Sequence, residues 1–103
     1  MSKYEGIEVV DVQVGEKVLP GISVEIPGIG KNVLQIKCQN GMLLCGLFSP
    51  EKIDFMEFAA CVFSAPKFSN MLENKPLFVS EKAKAMGVTE EMTGAEIAAI
   101  LDK

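Results

Sequence analysis

Histidine, arginine and tryptophan are absent from this chain of 103 residues, and tyrosine occurs once. Without histidine there is no Ser-His-Asp or Cys-His nucleophile and no imidazole metal ligand. Without arginine there is no arginine finger and no bidentate clamp on phosphate. All ten cations are lysines, set against 14 acids, for a net charge of -4 and a pI near 4.8. That acidic balance speaks against nucleic acid as the main partner. Long apolar runs are missing too. The longest stretch without a charge, Cys38 to Pro50, is thirteen residues, whereas a spanning helix needs about twenty apolar ones, so no membrane segment is expected. Met1-Ser2-Lys3-Tyr4-Glu5 lacks the apolar centre of a signal peptide. An odd number of cysteines, three, then points to reduced thiols in the cytoplasm.

Hydrophobic residues, by contrast, make up 49% of the chain, charged ones 23%, and mean hydropathy is +0.26. A chain of this length forms one domain, residues 1–103, and a domain so small buries only about two-thirds of the surface its unfolded chain exposes. Apolar surface is therefore left over, and a homo-oligomer is expected.

Residues 7–14 alternate Val10, Val12 and Val14 with Asp11 and Gln13, the two-residue period of a strand. A second strand spans 18–26, interrupted by Pro20-Gly21, which predicts a bulge or an edge position. Pro27-Gly28-Ile29-Gly30 is a loop, and its G-x-G spacing lacks the following helix that a phosphate loop requires. Asn40-Gly41, between strands 33–39 and 42–48, predicts a two-residue type I′ hairpin. That register sets Cys38 opposite Leu43 and Ile36 opposite Cys45. The second strand of the pair is apolar on both faces, as in a sheet interior covered above and below. Few residues remain to supply both covers, a second indication of a partner subunit.

Ser49-Pro50-Glu51 opens a helix to about Phe58, with Ile53, Phe55 and Met56 expected to face the sheet. Ala59–Ser64 reads as a buried strand, 69–73 as one helical turn, 77–79 as a short strand, and 81–86 as a helix capped by Ser80 and stopped by Gly87. Thr93-Gly94-Ala95-Glu96 is a capping box for a helix over 94–101. The expected fold is α+β: one small domain, a mostly antiparallel or mixed sheet built from hairpins, and two to three short helices.

The segments NGMLLCGLFS, KFSNMLENKPLFVSEKAKAMGV and EEMTGAEIA resemble the YunC-like family of small uncharacterised proteins. Cys45-Gly46 and Met92-Thr93-Gly94 carry most of that resemblance, which covers about Gly15 to Leu101. The chain departs from the family pattern at Glu91, at Ser64-Ala65-Pro66 and at Asn70-Met71-Leu72. The resemblance implies an α+β fold and no known reaction.

Cys45 is the sharpest candidate for chemistry, as a nucleophilic or redox thiol. It would need a lysine or a helix amino terminus to favour the thiolate; otherwise it is a small buried hydrophobe. Gly46, where backbone or ligand could approach closely, and Lys67, a loop cation suited to an anion, are the candidate ligand-binding residues. Cysteine spacings of C-x6-C and C-x15-C match no zinc pattern, so neither metal nor cofactor is expected. Asp54 with Glu57, and Glu90 with Glu91, read as solvated carboxylates rather than an acid–base pair. Two functions remain: a non-enzymatic, homo-oligomeric cytoplasmic protein that binds a small molecule or a protein, or an enzyme using Cys45.

Overall fold

A computed structural model describes residues 4–103; the readings made on Met1-Ser2-Lys3 lie outside them. The strands are β1 (Ile7–Val14), β2 (Lys17–Ile26), β3 (Lys31–Lys37), β4 (Met42–Cys45), β5 (Ala60–Phe63) and β6 (Phe78–Val79). They form one mixed sheet in sequence order, β1-β2-β3-β4-β5-β6. Neighbours are antiparallel except β4 and β5, which run parallel, Met42 beside Ala60 and Cys45 beside Phe63. The helices are α1 (Pro50–Met56), α2 (Phe68–Glu73), α3 (Glu81–Ala85) and α4 (Gly94–Leu101). The fold is therefore α+β, with four helices where two to three were expected, because the turn at 69–73 is a full short helix.

β4 is interior, as its two apolar faces require. Leu43 and Cys45 point to the larger core, where Ile36, Cys61, Phe63, Met71, Ile97 and Leu101 are buried. Leu44 points the other way, into a smaller cluster with Ile53, Ala60 and Val62. The chain covers β4 itself, with α4 on one side and α1 on the other. The expectation that a partner subunit must cover β4 is corrected. Each fully buried Leu or Phe contributes about 1.5–3 kcal/mol.

α1 ends earlier than expected because Glu57 turns into the left-handed region at φ 57. Only Ile53 of the helix is buried; Phe55 and Met56 face solvent, against expectation. Ser49 sits at the N-cap without a side-chain hydrogen bond.

The β3–β4 connection also departs from the expected turn. Ile36 pairs with Leu43 and Lys37 with Met42, two residues away from the expected register, so the faces are kept while the partners change. Gly41 has no positive φ. Its value is space: a Cβ there would stand 2.7 Å from the carbonyl oxygen of Ala59 and 3.0 Å from Leu101 Cδ1. The Cys38 amide donates to the Gly41 carbonyl at 2.9 Å across the turn, and α4 and the residue after it add further bonds. The Asn40 amide donates to the Leu101 carbonyl at 2.8 Å, satisfying one of the carbonyls that a helix end leaves unpaired. The Gln39 amide and Lys17 Nζ donate to the Asp102 carboxylate at 2.8 and 3.1 Å.

Pro20-Gly21 is no bulge, but Pro20 does stand at an edge, because β2 has only β1 beside it there. β2 pairs unbroken with β1 through Pro20, and with β3 from Gly21 onward. A Cβ on Gly21 would meet Val12 at 2.6 Å and the Phe68 ring at 3.0 Å, so the glycine seats the first residue of α2 on the sheet.

The caps at Thr93 and Ser80 hold as expected. Glu96 Oε1 accepts from the Thr93 amide at 2.9 Å and Thr93 Oγ1 from the Glu96 amide at 3.4 Å. Ser80, fully buried, accepts from the amides of Ala83 and Ala60 and so ties α3 to β5. Gly94 is where α4 crosses α2, and a Cβ there would lie 1.8 Å from the Met71 carbonyl oxygen.

Gly94→Ala is therefore expected to cost about 3 kcal/mol, the upper end for overpacking a core, read as a lowered urea midpoint. The hydrogen bond from Lys17, aided by that from the Gln39 amide, holds the Asp102 carboxyl below the ordinary aspartate range. Its stabilisation is complete above that range and is lost as pH falls through the lowered native value. Asp102→Asn should melt below the wild type at neutral pH, and thermal scans should show the gap closing in acid.

Candidate functional site

β4 and β5 are the parallel pair, so their carboxyl ends open at the same edge of the sheet. Beyond such ends lies the usual ligand crevice of open sheets. Here the chain forms a cleft of about 550 Å³ between Cys45 and Gly46 at the end of β4, Ser64 and Pro66 after β5, and Lys31 and Asn32 at the start of β3. The rim turn is held by the Phe48 amide donating to the Cys45 carbonyl at 3.3 Å. The loop after β5 is held by Asn74 Nδ2 donating to the Ser64 carbonyl at 3.1 Å. A second hollow of about 380 Å³ adjoins it, sharing Asn32 and Pro66 and adding Glu8, Ser23 and Lys67. Asn32 stands between the two, its Nδ2 donating to Ser23 Oγ at 2.7 Å.

The three residues expected at a site, Cys45, Gly46 and Lys67, thus come to one end of the sheet. Cys45 and Gly46 share the cleft, while Lys67 lines the adjoining hollow. Gly46 has no positive φ, and an added Cβ would meet only the Phe63 carbonyl oxygen at 3.7 Å. The close approach expected at Gly46 belongs instead to Gly41 and Gly94. Lys31, Asn32 and Ser64 were not singled out in the sequence. For Ser64 the available signal was α1: a helix between two strands sets them parallel, so the residues after β4 and β5 must lie together.

The cysteines differ by position. All three are free and buried. Burial pushes the thiols of Cys38 and Cys61 up to about 12; both lie in the larger core. Cys45 also borders the cleft, with Lys31 on the same lining. Cys38 stands beside Gly41 in the turn rather than opposite Leu43, so it is no neighbour of Cys45. Among the described residues no group of three or more His, Cys, Asp or Glu side chains could hold a metal ion.

Of the carboxylates named in the sequence, Asp54 and Glu91 are engaged elsewhere. Asp54 Oδ1 accepts from the Glu81 amide at 3.0 Å, joining α1 to α3. Glu91 pairs with Lys75 at 3.2 Å on the surface. The cleft is therefore lined by Cys45, Lys31, Asn32 and Ser64 among glycines and apolar residues, and by no carboxylate.

Among the described residues, no helix is long and apolar enough to cross a membrane. No family model matches the chain, and no curated protein does. A solved structure does: the crystal structure of TA1206 from Thermoplasma acidophilum, a protein of unknown function, is similar with a TM-score of 0.81 at 18% identity, over 97% of this chain and 99% of that one. The likeness shows a shared fold.

Proposed function

We propose that this domain is a non-enzymatic, self-associating binding module that holds a small molecule in the cleft at the ends of β4 and β5. The observation that carries the reading is the convergence there of Cys45, Lys31, Asn32 and Ser64 around an open volume. Few convergent polar groups among apolar residues are what small-molecule sites present. Self-association is supported by the reverse side of β1–β3, where Ile7 and Val9 are exposed. Membership of the YunC-like family is part of the proposal, carried by Cys45-Gly46 and Met92-Thr93-Gly94. The position of Gly94 against α2 gives the second motif a packing reason. Three free thiols fit a reducing compartment such as the cytoplasm. The net charge of -4 disfavours nucleic acid as a partner.

A second reading, a nucleophilic or redox Cys45, has one observation in its favour. Cys45 is the cysteine that borders an open cleft, and Lys31 lines the same cleft.

Screening a small-molecule library by amide chemical shifts should give ligands that move Gly30, Asn32, Gly46 and Ala65 together. Shifts confined to other regions, or no ligand at all, would overturn the binding reading. Thiol labelling separates the two functions. Cys38 and Cys61, with thiols near 12, hold about one thiolate in ten thousand at pH 8 and should label only on unfolding. Cys45 should label first, more slowly than in the urea-unfolded chain, and bound ligand should slow it further. Labelling of Cys45 faster in the folded protein would favour the nucleophile.

A further inference from the structure

Among the described residues, no helix lies over the reverse face of β1–β3, opposite the larger core. The register arranges its side chains in rows. Ile7, Val24 and Val33 form one row, and Val9, Ile22 and Gln35 the next. Asp11 pairs with Pro20, and Lys37, the residue after Ile36, stands at that level on β3. Val9 is 68% exposed and Ile7 41%. Three strands about 4.8 Å apart, rising about 3.3 Å per residue, give a flat footprint of roughly 14 by 23 Å. That footprint, about 320 Å² before side-chain relief, lies within the range of the apolar patch a monomer ordinarily carries and below the roughly 800 Å² per partner of a standard interface, so contacts from outside the three strands must add to it.

We infer that this face is covered by the same face of a second copy, with the two-fold axis running along β2. The inference rests on the self-association proposed above and specifies its surface. Shape selects the axis. α1 is attached to this same side over β4 and β5, through Ile53 against Leu44, Ala60 and Val62. It forms a step about as high as the spacing of two stacked sheets, about 10 Å. A two-fold axis across the strands would set α1 on top of its copy, where there is no room. An axis along the strands sets β1 over the partner's β3, and each α1 then passes outside the edge of the partner's β1. There its exposed Phe55 and Met56, 83% and 69% accessible, gain a neighbour.

Charge agrees with shape. The rotation along β2 keeps each row at its own level, so Asp11 of one copy faces Lys37 of the other, twice. Ile7 faces Val33, and Ile22 lies on the axis against its own copy. The two sheets pack as an aligned sandwich, apolar at the centre with opposite charges at the rim.

Light scattering after size exclusion, over a dilution series, tests this. Val9→Lys puts a charge in the middle row, opposite Gln35 of the other copy, and should convert the dimer to monomer. Asp11→Lys and Lys37→Asp each set like charges opposite one another and should each weaken association about tenfold or more. The combined Asp11→Lys, Lys37→Asp protein should associate within about threefold of wild type. These positions are exposed, and circular dichroism confirms that each variant is folded. A wild type monomeric at high concentration overturns self-association altogether. A wild-type oligomer untouched by all of these variants leaves self-association standing and overturns this face. Weakening by the single charge variants without rescue in the combination overturns the axis.

Discussion

Because β4 is buried from both sides, neither of its faces can hold a polar side chain without a partner, and this fixes where the helices must sit. Leu43 and Cys45 need α4 above them, and Leu44 needs Ile53 of α1 below. The crossover that brings α1 into place also reverses the usual hairpin order and sets β5 parallel to β4. Both carboxyl ends then open together. The cleft is a by-product of covering one strand: the residues that leave β4 and β5 diverge there, Gly46 and Leu47 toward α1, Ser64 to Pro66 toward α2.

The helices over the larger core are positioned by backbone contacts rather than by apolar burial alone. Gly94 lets α4 lie directly on α2, with the Gly94 amide donating to the Asn74 carbonyl at 3.0 Å. At its other end, Asp102 and the Leu101 carbonyl are bound by Lys17, Gln39 and Asn40. Two fixed ends leave the short helix little freedom to slide, which suits a core in which Ile97, Ala98 and Leu101 are all fully buried. The smaller cluster has only α1 and leaves half of its side of the sheet without a helix.

Most of this was legible where the signal is local. The alternation in 7–14, the capping box at Thr93 and the cap at Ser80 depend on residues a few positions apart, and the structure contains all three. The reading failed where a distant residue decided. Asn40-Gly41 carries a turn signature, yet α4 dictates the turn, and Gly41 is required by Ala59 and Leu101 rather than by its own dihedral. Pro20-Gly21 reads as a bulge or an edge; the edge holds at Pro20, but no bulge forms, and Phe68 explains the glycine. Phe55 and Met56 lie in a helix with an apolar side, yet α1 is too short and too near the edge of its cluster to bury more than Ile53. At the site, Cys45 and Lys67 stood out by residue type. Ser64 acquires meaning only from the parallel pairing, and Lys31 and Asn32 only from the β3–β4 register that α4 sets.

The bond from Lys17 to Asp102 joins positions 85 residues apart. β1 to β3 form a meander of neighbouring strands, which can collapse through short loops, whereas closing so long a loop is slow and costs more entropy. During synthesis the ribosome makes Leu43, Cys61 and Phe63 well before the helix that shields them. Until α4 emerges and its end is caught by the two turns, the nascent chain carries its most apolar strands bare on that side, the interval in which a chaperone has most to hold.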